Sequence, residues 1–167
     1  MKFKVELIDL RARYSDERNK IINILDKTLK KGNLILTPEV ELLENEIANY
    51  TGSKYCLGLN SGTDALMMSL WACGIKKGDE VITSAISFIA SAGAIVHLGA
   101  IPIFADVNED LNIDPLNIEK LITRKTKAIM PVHWTGRICD MDKITKISKK
   151  YNLKIIEDAA QGMGSYY

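Results

Sequence analysis

The chain has 167 residues, 47% of them hydrophobic and 26% charged, with a formal net charge of +1. That balance fits a folded, soluble, intracellular protein and gives no basic surplus for nucleic acid or an anionic membrane. The longest apolar stretch, Ala85 to Ala105, is broken by Ser87, Ser91, His97 and Pro102, so it falls short of the ~20 continuous apolar residues of a membrane span.

The start, Met1-Lys2-Phe3-Lys4-Val5-Glu6, carries an acid where a signal peptide needs its apolar region, and cytoplasm is the expected compartment. Two helices are expected next, Ser15–Lys31 and Val40–Tyr50, joined by the Gly32–Pro38 segment. From residue 54 onward, apolar runs of strand length alternate with helical periodicity. The expected strands are Lys54–Leu59, Glu80–Thr83, Ile101–Ala105, Thr126–Val132 and Lys154–Glu157; the expected helices lie near Asp64–Cys73, Ile86–Leu98, Pro115–Ile122 and Met141–Tyr151. Asp114 and Asp140 suit N-caps and Pro115 a first helical position. Such alternation requires crossover connections and yields a mostly parallel sheet with helices on both faces. The expected organisation is an N-terminal helical segment over 1–53 followed by an α/β part over 54–167. His97, among Ile95, Val96 and Leu98, reads as a packing residue. Cys56, Cys73 and Cys139 show no CxxC spacing and lie in or beside apolar runs, so buried reduced thiols are expected.

Two stretches carry chemistry. Asn60-Ser61-Gly62-Thr63-Asp64-Ala65-Leu66 follows one apolar run and opens a helix. The first N–H groups of a helix lack internal partners and sit at its positive end, which makes such a turn a cradle for phosphate; Ser61 or Thr63 capping an ordinary helix explains the same residues. Ile155-Ile156-Glu157-Asp158-Ala159-Ala160-Gln161-Gly162 ends a second run in acids at a strand's carboxyl end, the edge where ligands bind in open α/β sheets. There Asp158 could hold a heteroaromatic nitrogen protonated, as enzymes do with pyridoxal phosphate, or merely cap the next turn. Other chemistries lack their parts. Gly58-Leu59-Asn60-Ser61-Gly62-Thr63 has the wrong spacing for a dinucleotide fingerprint, and no GK[ST] P-loop occurs. A nucleophile elbow would need serine at Asn60. Two histidines outside an HExxH pattern give no catalytic zinc.

Taken in order, Gly32-Asn33-Leu34-Ile35-Leu36-Thr37-Pro38-Glu39-Val40, Ser61-Gly62-Thr63-Asp64-Ala65-Leu66, Ser87-Phe88-Ile89-Ala90-Ser91, Pro131-Val132-His133 and Glu157-Asp158-Ala159-Ala160-Gln161 resemble the DegT/DnrJ/EryC1/StrS family of sugar aminotransferases. The resemblance implies the large domain of an aspartate-aminotransferase-type (fold type I) enzyme. It implies pyridoxal 5′-phosphate as cofactor and amino transfer, from L-glutamate, to a nucleotide-linked keto-sugar for deoxyamino-sugar or polysaccharide biosynthesis, by a homodimer. Carried over residue by residue, Ser61, Gly62 and Thr63 would anchor the cofactor phosphate, Phe88 would stack on its ring, Asp158 would pair with the ring nitrogen, and Gln161 would reach the ring hydroxyl or its neighbourhood. His133 would lie in the substrate region. Trp134 and Thr135 depart from the leucine and tyrosine or phenylalanine that often follow this histidine in the family.

Family members resemble chains more than twice as long, and the Schiff-base lysine is expected beyond Tyr167. Lys54, Lys127 and Lys154 lie in no comparable context, so no catalytic residue is assigned within the chain, which reads as the front of a catalytic domain. Two alternatives stand beside the aminotransferase: a sugar dehydratase of the same family, and a truncated, non-catalytic binding module.

Overall fold

A computed structural model describes residues 8–167. The chain separates into two compact units, one ending at Gly58 and one spanning Leu59–Tyr167. In the first, helix α1 (Leu10–Lys31) starts on Asp9, whose carboxylate accepts from the N–H groups of Arg11 and Ala12, and stops at Gly32, which turns left-handed with φ 69°. Helix α2 (Pro38–Thr51) places Pro38 in its first turn and ends on Gly52. Neither helix contains a buried residue, and a Lys31–Glu39 ion pair spans the connection between them.

The expected strand Lys54–Leu59 does not form. Tyr55 and Leu57 are 78% and 73% exposed, and the segment pairs with no other strand among the described residues. An apolar run becomes a strand only with a ladder partner; here Gly58 N–H donates to the Glu44 carboxylate instead, at 2.7 Å.

The second unit runs α3 (Gly62–Ala72), β1 (Glu80–Ser84), α4 (Ile89–His97), β2 (Ile101–Ala105), α5 (Pro115–Leu121), β3 (Thr126–Met130), α6 (Met141–Tyr151) and β4 (Lys154–Ile155). The four strands form one sheet in the order β2-β1-β3-β4, every pair parallel. Successive residues point to opposite faces of a strand, and the core divides accordingly. Val81, Ala128 and Met130 pack on one side with Leu66 and Leu70 of α3 and Ala94 and Ile95 of α4. Ile82 and Ile129 pack on the other with Ile118 of α5 and Ile144 and Ile147 of α6. The α6 boundaries match the sequence reading, with the Asp140 carboxylate accepting from Lys143 N–H. Asp114 caps α5 through Leu116 N–H. His97 differs from the expectation: it lies exposed in the last turn of α4, where a basic side chain suits the helix dipole without packing. All three cysteines are free, but only Cys139 is buried; Cys56 and Cys73 are half-buried.

The sheet order positions the site. From β1 the chain leaves through α4 over one face; from β3 it leaves through α6 over the other. Two neighbouring parallel strands whose exits diverge leave a crevice at their carboxyl ends. Pairing between β3 and β4 is prolonged there by a bridge between Val132 and Asp158, in which His133 N–H donates to the Asp158 carbonyl and Asp158 N–H to the Pro131 carbonyl. Asp158 is thereby fixed at the mouth of the crevice by its own backbone.

Candidate active site

A cleft of about 430 Å³ opens at this carboxyl edge. Its walls come from the first turn of α3 (Gly62, Thr63), the segment after β1 (Ser87, Phe88), the segment after β3 (Val132, Trp134) and the segment after β4 (Glu157 to Gln161). Asp158, 8% exposed, accepts from the Ser91 hydroxyl at 2.6 Å through Oδ2 and from Ala160 N–H at 3.3 Å through Oδ1. Phe88 is 68% exposed in the same cleft, a large apolar ring with a free face.

At the start of α3, the Ser61 hydroxyl accepts from Asp64 N–H at 3.1 Å and donates to the Asp64 carboxylate at 2.8 Å, while Asn60 Nδ2 donates to the same carboxylate at 3.1 Å. Those hydrogen bonds, Ser61 first, hold the Asp64 carboxyl below its usual range. The Ser61 side chain is thus spent on the cap and does not line the cleft. The N–H groups of Gly62 and Thr63 make no hydrogen bond among the described residues, and a Cβ built on Gly62 would meet nothing within 4 Å. Open space beside unpaired amides at a helix N-terminus suits an anionic group.

His133 is 2% exposed and does not reach the cleft wall. Its Nδ1 accepts from Cys139 N–H at 3.4 Å, so the proton of the neutral ring sits on Nε2, which donates to Glu157 Oε2 at 3.0 Å. That hydrogen bond holds the Glu157 carboxyl below its usual range against the opposing effect of burial. The histidine braces Glu157, the cleft residue next to Asp158, from behind. It also abuts Gly162, where an added Cβ would lie 3.1 Å from His133 Cβ and 3.4 Å from Cδ2. With the ring pinned at both nitrogens it has little room to give. Gly162→Ala is therefore expected to lower stability by about 1–3 kcal/mol, read as a drop in the thermal unfolding midpoint; an unchanged midpoint would show that the ring moves freely.

Gln161 Oε1 accepts from Thr135 N–H at 2.7 Å, which orients the amide and leaves its NH₂ as a donor. Thr135 adopts a left-handed φ of 56°, followed by Gly136 at 84°. A non-glycine residue in that region is uncommon, and the turn is held by Asn112, 1% exposed. Asn112 Oδ1 accepts from Trp134 N–H at 3.1 Å, and its Nδ2 donates to the carbonyls of Arg137 and Ile138 and to Asp110.

The donor set fits pyridoxal phosphate: unpaired helix-end amides for a phosphate, an exposed aromatic face and apolar walls for a flat ring, and a buried, oriented carboxylate for a ring nitrogen. The DegT/DnrJ/EryC1/StrS aminotransferase model matches residues 15–167. The chain belongs to this family. Among its relatives is the UDP-2-acetamido-2-deoxy-3-oxo-D-glucuronate aminotransferase of Pseudomonas aeruginosa, 41% identical over 164 residues, which cover 98% of this chain and 46% of that protein. DesV of S. venezuelae superposes with a TM-score of 0.93 at 39% identity over 98% of this chain and 44% of that one. NtdA of Bacillus subtilis, solved with bound cofactor PMP, gives 0.88 at 43% identity over 89% and 34%. The chain thus spans less than half the length of these relatives, and its parallel sheet is the one seen in their aminotransferase folds.

Within this aminotransferase-family cleft the structure gathers Gly62, Thr63, Phe88, Asp158 and Gln161; Ser61 and His133 do not line it. Sequence reading missed Ser91, Asn112 and Glu157.

Burial pushes the Cys139 thiol up to about 11, and its Sγ donates to the Val132 carbonyl. Iodoacetamide at pH 8 is expected to label Cys56 and Cys73 well before Cys139, since thiolate is the nucleophile; peptide mass mapping reads the order, and early modification of Cys139 would contradict this burial.

Proposed function

We propose that this chain is the front part of a pyridoxal-phosphate-dependent aminotransferase that moves an amino group, with L-glutamate as donor, onto a nucleotide-linked keto-sugar destined for amino-sugar or polysaccharide synthesis. The observation that carries the reading is Asp158, a carboxylate buried and aimed at one end of a cleft whose other walls are an exposed aromatic ring and a helix N-terminus. Pyridoxal phosphate, when bound, supplies an electron sink that lets nitrogen pass between an amino acid and a ketone.

The residues of this chain take the following parts. The amides of Gly62 and Thr63 hold the phosphate, with Ser61 fixing their turn through Asp64. Phe88 covers one face of the ring and excludes water from it. Asp158 keeps a proton on the ring nitrogen, and the free NH₂ of Gln161 donates to an oxygen on the ring's edge. His133 holds Glu157, and with it the segment bearing Asp158, while Trp134 borders the space left for the sugar. The Pseudomonas relative is named for a UDP-linked 3-oxo sugar acid, which supports a keto-sugar as acceptor. A lysine outside this segment, a homodimer and a cytoplasmic setting complete the proposal; among the described residues no helix is long and apolar enough to cross a membrane.

The test is transfer of ¹⁵N from labelled glutamate to a panel of UDP- and dTDP-linked 3- and 4-keto-sugars, followed by mass spectrometry, with the protein purified at its native length. A one-unit mass increase in an amino-sugar product, relative to unlabelled glutamate, supports the proposal. Loss of a hydroxyl without nitrogen gain would favour the dehydratase reading, and no reaction with any acceptor would favour a binding module.

A further inference from the structure

Helix α4 breaks a local rule. Its N-cap is Phe88, which has no side-chain oxygen and makes no capping hydrogen bond, although serine is among the favoured caps and two serines flank it. Neither serves the helix. Ser91, 1% exposed, could bond back to a carbonyl one turn earlier, as serines in helices often do, yet its hydroxyl crosses to Asp158 Oδ2 at 2.6 Å, 67 residues away in sequence. Ser87 Oγ lies 2.6 Å from Ser91 Oγ. A hydroxyl has one proton; with that of Ser91 given to Asp158, Ser87 must donate to Ser91. The direction of the chain is fixed as Ser87 to Ser91 to Asp158, beginning at the cleft wall, which Ser87 lines, and ending on the buried carboxylate. Where a local preference is given up, a functional constraint is the usual reason.

We infer that Ser91, backed by Ser87, is a positioning residue that locks the Asp158 carboxylate in the orientation needed to meet a ring nitrogen. The inference rests on the cofactor reading above. Among the contacts of Asp158, Ala160 N–H at 3.3 Å holds Oδ1 more loosely, so the orientation depends chiefly on the serine. No cationic side chain hydrogen-bonds to or forms an ion pair with Asp158 among the described residues, which leaves the paired hydroxyls as the device that steadies it.

The experiment compares wild type, Ser91→Ala, Ser91→Thr and Asp158→Asn, each at the protein's native length, by titration with pyridoxal 5′-phosphate and with its 1-deaza analogue, in which carbon replaces the ring nitrogen. Tryptophan fluorescence reports binding. Ser91→Ala is expected to raise Kd for pyridoxal phosphate about tenfold and that for the deaza analogue no more than about twofold, with Ser91→Thr restoring most of the difference. Equal weakening for both ligands would reduce Ser91 to a packing residue and overturn the inference, as would no change for either. If Asp158→Asn fails to separate the two ligands, the ring-nitrogen assignment falls and the role of Ser91 with it; if Asp158→Asn separates them and Ser91→Ala does not, only the inference about Ser91 fails.

Discussion

Asp158→Asn is expected to cut turnover by about 10²- to 10³-fold, the scale found when one preorganised electrostatic partner is removed from a reacting centre, a larger factor than its cost in cofactor affinity. Asparagine has the shape of aspartate, and its amide oxygen can still accept from Ser91, so the backbone bridge from Asp158 to Val132 and the wall of the cleft persist. What disappears is the charge that favours a protonated ring nitrogen. Steady-state kinetics beside a cofactor titration separate the two effects. Unchanged turnover would remove Asp158 from the chemistry, and equal loss of binding and turnover would make it an anchor only.

A loss of about 3 kcal/mol is expected for Asn112→Ala, since the four hydrogen bonds of this buried side chain are lost together, with the thermal midpoint falling by roughly 10 °C or more. The alanine leaves Trp134 N–H with the Val132 carbonyl alone and takes the amide donor from the carbonyls of Arg137 and Ile138. The left-handed turn at Thr135 and Gly136 would then rest on Gln161 and on the Ser165 hydroxyl that donates to Gly136 O. Freed from Asn112, the exposed Arg137 should become a fast tryptic site. Calorimetry and a digestion time course test both parts; a variant as stable and as protease-resistant as wild type would show that Gln161 and Ser165 suffice. Trp134 lines the cleft, so loosening this turn should also widen acceptor choice.

Elements whose identity depends on local pattern were legible in the sequence. Helix α6 has an amphipathic repeat and a capping aspartate, and its limits follow from those. Strands β1 and β2 follow from short β-branched runs between turns. Lys54–Leu59 failed for the opposite reason, because a strand is a property of a pair and nothing in that run records whether a partner lies beside it. The site divides in the same way. Asp158 and Phe88 could be assigned to the carboxyl edge because each follows a strand by a few residues, and the α3 turn because it opens a helix. Ser91 and Asn112 could not, because their roles are contacts to Asp158 and Trp134, 67 and 22 residues distant, that exist only once the sheet has formed. His133 was expected in the substrate region; its burial behind Glu157 reflects the neighbouring Gly162 and Cys139, which sequence spacing does not bring to mind.

The most direct test of the central claim is the intact mass of the native-length protein after incubation with pyridoxal phosphate and borohydride reduction, which fixes any lysine-bound cofactor covalently. One pyridoxyl-phosphate group per polypeptide is expected, reduced in occupancy when Phe88 and the α3 turn are altered. A polypeptide that stays at its bare mass under excess cofactor would contradict that claim, leaving a protein that shares the aminotransferase fold without its chemistry.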